Sequence, residues 1–304
     1  MFLKSIKLII QKTMKYWIQT IVTLVLFYQS LRSIQMTEVL QNNKFFDYYL
    51  NYNFEDFLKF CKFEGNQQFL AIVCKNISNQ MVLKKIFDKN LNNRFGKLSI
   101  TESSVNTIDT YFLPKNIGFE LISVKKTNLK QIDLKVFIDS FKILKRLEII
   151  HSDLVELPFD RSYQLRQLQH LDLYYNSLTT IPDYAFEKMV ELKTIDLSFN
   201  QISYVGSFAF YFNDKLEYLD LKYNRLKVVN NYAFALSKPN PRLTLDLTNN
   251  KMFYLSDGVF SRQSPLLLNL SSNSLTKFEE KHFWPILKAI IQYNGVISVE
   301  SQFI

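Results

Sequence analysis

The sequence predicts an α/β repeat solenoid with a parallel β-sheet, built from about nine units over residues 95–304. Three observations predict it. One pattern recurs three times in close succession: Leu168-Gln-His-Leu171-Asp-Leu173-Tyr-Tyr-Asn176, then Leu192-Lys-Thr-Ile195-Asp-Leu197-Ser-Phe-Asn200, then Leu216-Glu-Tyr-Leu219-Asp-Leu221-Lys-Tyr-Asn224. The asparagines stand 24 residues apart; Asn250, Asn273 and Asn294 continue the series, and Ser152, Thr127 and Ser103 hold the same slot upstream. Apolar columns keep step with the slot. Two residues after it stand Val105, Leu129, Leu154, Leu178, Ile202, Leu226, Met252, Leu275 and Val296; five after it stand Ile108 through Val299; ten after it stand Phe137, Phe186, Phe210, Phe234, Phe260 and Phe283.

At the N-terminus, residues 1–33 hold five of the 37 basic residues (Lys4, Lys7, Lys12, Lys15, Arg32) and no acid. Lysines followed by the apolar run Trp17–Tyr28 read as a secretory signal peptide, with an uncleaved anchor as the alternative. Twelve residues fall short of the roughly 20 that a membrane span needs, and no later segment is apolar for long enough. A protein without a stable membrane span after signal removal, secreted to the extracellular space, is the expectation. The remaining 32 basic residues face 28 acids, a balance that needs no nucleic acid to explain it.

Residues 34–94 form the expected arm and cap. Cys61 and Cys74 are the only cysteines, thirteen residues apart. In an oxidising compartment an even pair favours one disulfide, worth about 3 kcal/mol for a loop of that size in the chain-entropy model. Two buried free thiols are the alternative, tied to the reading of the signal. An open solenoid exposes core at its ends, so a cap is required there.

Within each unit the physics is repetitive. Leu171 and Leu173 alternate on a short strand and point into one core. No unit buries that face alone; stacking does it. Asn176 and its equivalents sit where the strand turns, where an amide that both donates and accepts can satisfy backbone groups of two units. The phenylalanines ten residues on should stack as a spine. At the far end Trp284-Pro285 and residues 286–299 are expected to close the stack, a truncated chain being the alternative.

These motifs resemble the leucine-rich-repeat proteins of the 24-residue extracellular type, whose pattern LxxLxLxxNxLxxIPxxAF residues 95–304 follow. The sequence departs from it where the first three units lack Asn, unit three lacks the later Phe, and Lys238-Pro-Asn-Pro241 inserts two residues. The resemblance implies a horseshoe with a concave parallel sheet. Residues 55–94 resemble the N-terminal flanking module of secreted members, which usually carries four cysteines where this chain has two. The layout also resembles the non-catalytic leucine-rich-repeat subunit of oplophorus-luciferin 2-monooxygenase and its secreted relatives.

No HExxH, GxSxG, Walker A or dinucleotide glycine fingerprint occurs. His151, His170 and His282 stand far apart in sequence, and the first two are read as outward-facing strand residues. No enzyme, cofactor or metal site is expected. Four residues before the slot, Glu148, Asp172, Asp196, Asp220 and Asp246 should form a carboxylate ladder with raised pKa values. Asn76-Ile-Ser78 and Asn269-Leu-Ser271 are candidate glycosylation sequons.

The function expected is a secreted, non-enzymatic scaffold that binds protein through its concave face. A non-catalytic subunit of a secreted enzyme complex, or a receptor ectodomain lacking its membrane span, are the alternatives. The candidate partner-binding residues are Tyr175, Phe199 and Tyr223, one position before the slot, with Tyr174, Tyr218, Lys222 and Asp196 beside them. Clustered exposed aromatics are costly to leave wet, although rings that merely pack on one another are the plainer reading.

Overall fold

The computed structural model describes residues 59–65, 69–78, 93–110, 112–113, 117–159, 165–256, 258–260, 265, 267–277 and 279–301. The signal reading (1–33), the arm (34–54) and residues 79–92 of the cap lie outside them. Apart from Gly65, the described residues belong to one compact unit.

That unit is a parallel-strand solenoid, mostly sheet with few helices. One sheet of eleven strands runs in chain order. Its strands are β1 (Cys61–Gly65), β2 (Leu70–Lys75), β3 (Asn93–Ser103), β4 (Ile117–Thr127), β5 (Arg146–Ile150), β6 (His170–Asp172), β7 (Thr194–Asp196), β8 (Tyr218–Asp220), β9 (Thr244–Asp246), β10 (Leu267–Asn269) and β11 (Val296–Ser298). From β2 onward neighbours pair in parallel. The register puts Leu147, Leu171, Ile195, Leu219, Leu245 and Leu268 in one row, all buried. Alternation follows: in β6 and β7 the middle residue is buried and its neighbours are half-exposed.

The turn after each strand is built by the slot residue. The Asn200 amide donates to the carbonyls of Leu173, Leu197 and Ser198, and its Oδ1 accepts from the Leu178 N–H. Asn176, Asn224, Asn250 and Asn273 repeat the arrangement. Where the slot holds a hydroxyl the network is thinner. Ser103 Oγ accepts from the Ile77 N–H and donates to the Thr101 carbonyl, while Thr127 and Ser152 bond to each other at 2.9 Å.

The phenylalanine column forms the expected spine. Phe186, Phe210, Phe234 and Phe260 stack at centroid distances of 5.1, 6.0 and 6.2 Å, and Phe283 continues the row at 6.1 Å. In the third unit, one of those that lack this phenylalanine, Phe159 packs edge-on against Phe186 at 5.2 Å. Cys61 and Cys74 are joined, linking β1 to β2.

The last unit differs from the sequence reading. Asn294 does not occupy the turn slot. It is the left-handed C-cap of helix α1 (Glu280–Tyr293), a position that favours Asn and Gly. Phe283 and Ile286 recur at helical spacing and are buried, which docks the helix on the spine. The strand comes after it, with Ser298 in register with Asn269, so Val296 belongs to the sheet rather than to the column two residues after the slot.

Candidate partner-binding face

The residue before the slot adopts the left-handed conformation in coil after coil: His151, Tyr175, Phe199, Tyr223, Asn249 and Ser272 have φ between 48° and 55°. For a residue with a side chain this region costs roughly 1–2 kcal/mol, least for Asn. Asn249 is the inexpensive choice; the preceding four coils place a ring there instead. Those rings stack along the solenoid: His151 on Tyr175 at 4.4 Å, Tyr175 on Phe199 at 6.2 Å, Phe199 on Tyr223 at 4.3 Å. Tyr174 closes the row from the side, edge-on to His151 and Phe199. Stacking of this kind returns about 0.5–1.5 kcal/mol per pair. Tyr175 and Tyr223 nevertheless stay 51% and 46% exposed.

The structure thus brings the candidates Tyr174, Tyr175, Phe199 and Tyr223 together, with His151 at the end of the row. His151 is not a strand residue: β5 stops at Ile150. The other three candidates stand on the neighbouring sheet face in a different arrangement. Tyr218 donates its hydroxyl to Asp220 Oδ2 at 2.8 Å, and Lys222 Nζ binds the same oxygen at 2.7 Å. Asp196 Oδ1 accepts from the Ser198 N–H and hydroxyl. Lys222 and Tyr218 are therefore held by Asp220. That carboxylate, fully buried, needs them both.

The carboxylate column is real: Glu148, Asp172, Asp196, Asp220 and Asp246 lie in register, with Asn269 next. In the aspartates one oxygen accepts the backbone N–H two residues on, as at Tyr174, Ser198, Lys222 and Thr248. Burial, with Asp196 and Glu148 as like-charged neighbours, pushes the Asp172 carboxyl up to about 6, and burial raises Asp196 as well. Glu148 departs from the expected rise. Burial pushes it up, but Lys125, Ser123 and Arg146 together outweigh that and hold it below its ordinary value. Burial and the Asp220 bond push the Tyr218 phenol well up, so it stays a donor at any physiological pH. His170 donates or accepts at Thr194 Oγ1, 2.8 Å away.

Asn76 is exposed and left-handed just past β2. Asn269 is half-buried within β10, and its Oδ1 accepts from the Ser271 N–H at 3.1 Å. Among the described residues no group of three or more His, Cys, Asp or Glu side chains could hold a metal ion, and no helix is long and apolar enough to cross a membrane.

A second ring column escaped the sequence reading. Eight residues after the slot, Tyr184, Phe208 and Tyr232 are also left-handed and stack at 5.5 and 5.0 Å. The recurrence of aromatics at that offset was the available signal.

Residues 159–288 match the family model described as BspA type Leucine rich repeat region, in six copies. No curated protein matches the chain significantly. Among solved structures, a chain of the TLR13–ssRNA13 complex superposes with a TM-score of 0.58 at 24% identity, covering 70% of this chain and 30% of that one. A chain of the octameric complex of Latrophilin 3, Unc5D and FLRT2 gives a TM-score of 0.43 at 15% identity, covering 65% and 73%. The present chain thus spans less than a third of the TLR13 chain, and that likeness bears on the fold alone.

Proposed function

We propose that the protein is a secreted, non-enzymatic leucine-rich-repeat scaffold that binds a protein partner on the ring row His151–Tyr175–Phe199–Tyr223, flanked by Tyr174. The observation that carries this reading is the left-handed backbone under the row. Four consecutive coils keep a bulky ring at a position where Asn, as in Asn249, or Gly would be less strained. The same backbone recurs under Glu102, Lys126 and Ser272, so it is the run of exposed rings on it that points to a contact, and Tyr is enriched among interface anchors. Lys222 and Asp196 border the row and orient the partner, Lys222 with its charge already partly spent on Asp220.

The Cys61–Cys74 bridge supports an oxidising compartment, and hence secretion. Asn76 is the sequon presented to solvent, whereas the Asn269 side chain is engaged by its own turn. A non-catalytic subunit of an enzyme complex would use the same row on a catalytic partner, and a receptor ectodomain on a ligand.

The test is affinity capture of the secreted protein followed by lysine cross-linking and mass spectrometry. Cross-links from a captured protein should concentrate on Lys222 and its neighbours. Cross-links confined to Lys188 and Lys215, away from the row, would overturn the reading.

A further inference from the structure

Beyond the turn, the chain runs along a different edge of the solenoid. There, positions one to four after the slot read Gln201-Ile-Ser-Tyr204, Arg225-Leu-Lys-Val228, Lys251-Met-Phe-Tyr254 and Ser274-Leu-Thr-Lys277. The second residue of each quartet is buried in the core, and most of the others are exposed. Backbone pairing sets these quartets side by side: the Lys251 N–H donates to Leu226, the Phe253 N–H donates to Lys227, and Val228 pairs in register with Tyr254. The outcome is a surface that carries Arg225, Lys227, Lys251 and Lys277 and no acid in any of the four quartets. Among the described residues none of these cations is paired with a carboxylate, in contrast to Lys125, Lys215 and Lys222. Between and beside them stand Tyr204, Val228, Phe253 and Tyr254, with Phe253 at 54% exposure. The acid at the margin, Asp183, is occupied by the Ser207 N–H.

We propose that this edge is a second interaction surface, and that its occupant is an extended acidic segment of a protein partner with apolar side chains among its acids. Charge complementarity selects the sign: cations in adjacent coils, none paired with a carboxylate, make a positive field that the marginal acids Asp183 and Glu279, the one bonded to the Ser207 N–H and the other ion-paired with Lys281, only partly offset. Spacing selects an extended chain. Arg225 and Lys227 are alternate residues, and alternate residues of an extended peptide stand about 6.6 Å apart on one side. The apolar side chains select a protein over a plain polyanion. Val228 and Phe253 offer nothing to a sulfate or phosphate, and exposed apolar groups rimmed by charge mark protein contacts.

The probe is a fluorescein-labelled peptide of alternating Glu and Tyr, titrated into the whole secreted protein at physiological salt. Comparison probes are an alternating Glu and Ser peptide, oligouridylate and heparin. The Glu–Tyr peptide should bind at least about tenfold more tightly than the Glu–Ser peptide, a gap of about 1.4 kcal/mol. Arg225→Glu with Lys251→Glu should weaken it about tenfold or more, as should Phe253→Ser with Tyr254→Ser. Arg225→Ala and Lys251→Ala, each alone, serve as milder variants, with melting curves to certify the fold. Tyr175→Asn should leave this binding unchanged, which separates the edge from the ring row. The proposal is overturned if the Glu–Tyr peptide does not bind. It is equally overturned if oligouridylate or heparin binds as tightly and ignores the Phe253 and Tyr254 changes, or if Tyr175→Asn abolishes binding.

Discussion

The coils around Asn176–Asn273 and those around Ser103–Ser152 solve the same turn in two ways. In the first group a buried amide makes three donor contacts and accepts one more, and the strands β6–β10 need only three residues each. In the second group a hydroxyl makes one or two bonds, and the strands lengthen: β3 and β4 run eleven residues and pair from Asn93↔Ile117 to Ser103↔Thr127. A hydroxyl has a single proton, so it cannot donate to the carbonyls of two coils at once as an amide does. Backbone pairing replaces what the side chain does not supply. The N-terminal group has a further support in the disulfide between β1 and β2.

Removing the disulfide should separate the two groups of coils most strongly. Cys61→Ser with Cys74→Ser should cost about 2–5 kcal/mol. Because each coil touches mainly its neighbours, hydrogen exchange should rise in β2 and β3 and change little in β8–β10. Uniform loosening would mean that the stack melts as one unit.

Amide and hydroxyl slots should also differ in what their loss costs. Asn200→Ala strands the buried Leu178 N–H and leaves the Leu173 and Leu197 carbonyls with only the amides of Asn176 and Asn224, and should cost about 1–3 kcal/mol. Ser103→Ala removes fewer bonds, beside long strands, and should cost about 0.5–1.5 kcal/mol. Urea unfolding that ranked the two in the opposite order would contradict this account of the turn.

A smaller effect sits at the junction of the two groups. The Asp172 carboxyl, ordinarily at 3.8, is raised to about 6, so the folded state disfavours its charged form. Its contribution is most favourable when protonated, and stability should fall as pH rises from about 4 to about 6. Asp172→Asn keeps the acceptor for the Tyr174 N–H, as Asn269 does for Ser271, and should flatten that dependence in melting curves. An unchanged pH profile would place the titration elsewhere.

Much of this was legible in the sequence for a physical reason. A turn that demands a two-sided amide leaves Asn at a fixed period, and a packed spine leaves Phe. The slot frame misled at Asn294 because Asn serves two positions, turn bridge and left-handed helix cap, and the letter is the same. The left-handed column was hidden in a different way. Tyr and Phe are poor formers of that conformation, so nothing in Tyr175 or Phe199 announces it. The site itself was half visible. The rings of the row could be grouped by offset, but the capture of Lys222 and Tyr218 by Asp220 depends on burial, which spacing does not reveal.

In the proposed role the ring row is kept for a partner and not for the fold. Tyr175→Asn combined with Tyr223→Asn is the direct measurement, because it separates the two. Asparagine relieves left-handed strain of about 1–2 kcal/mol per site while forfeiting stacking of similar size. The melting temperature should therefore stay nearly constant, while affinity for the captured partner falls by at least about 2 kcal/mol. Glu187→Ala with Lys188→Ala, an exposed pair outside the row, should change neither. Unchanged affinity in the double Asn variant, with a clear loss of stability, would show that the rings serve packing alone and contradict the account.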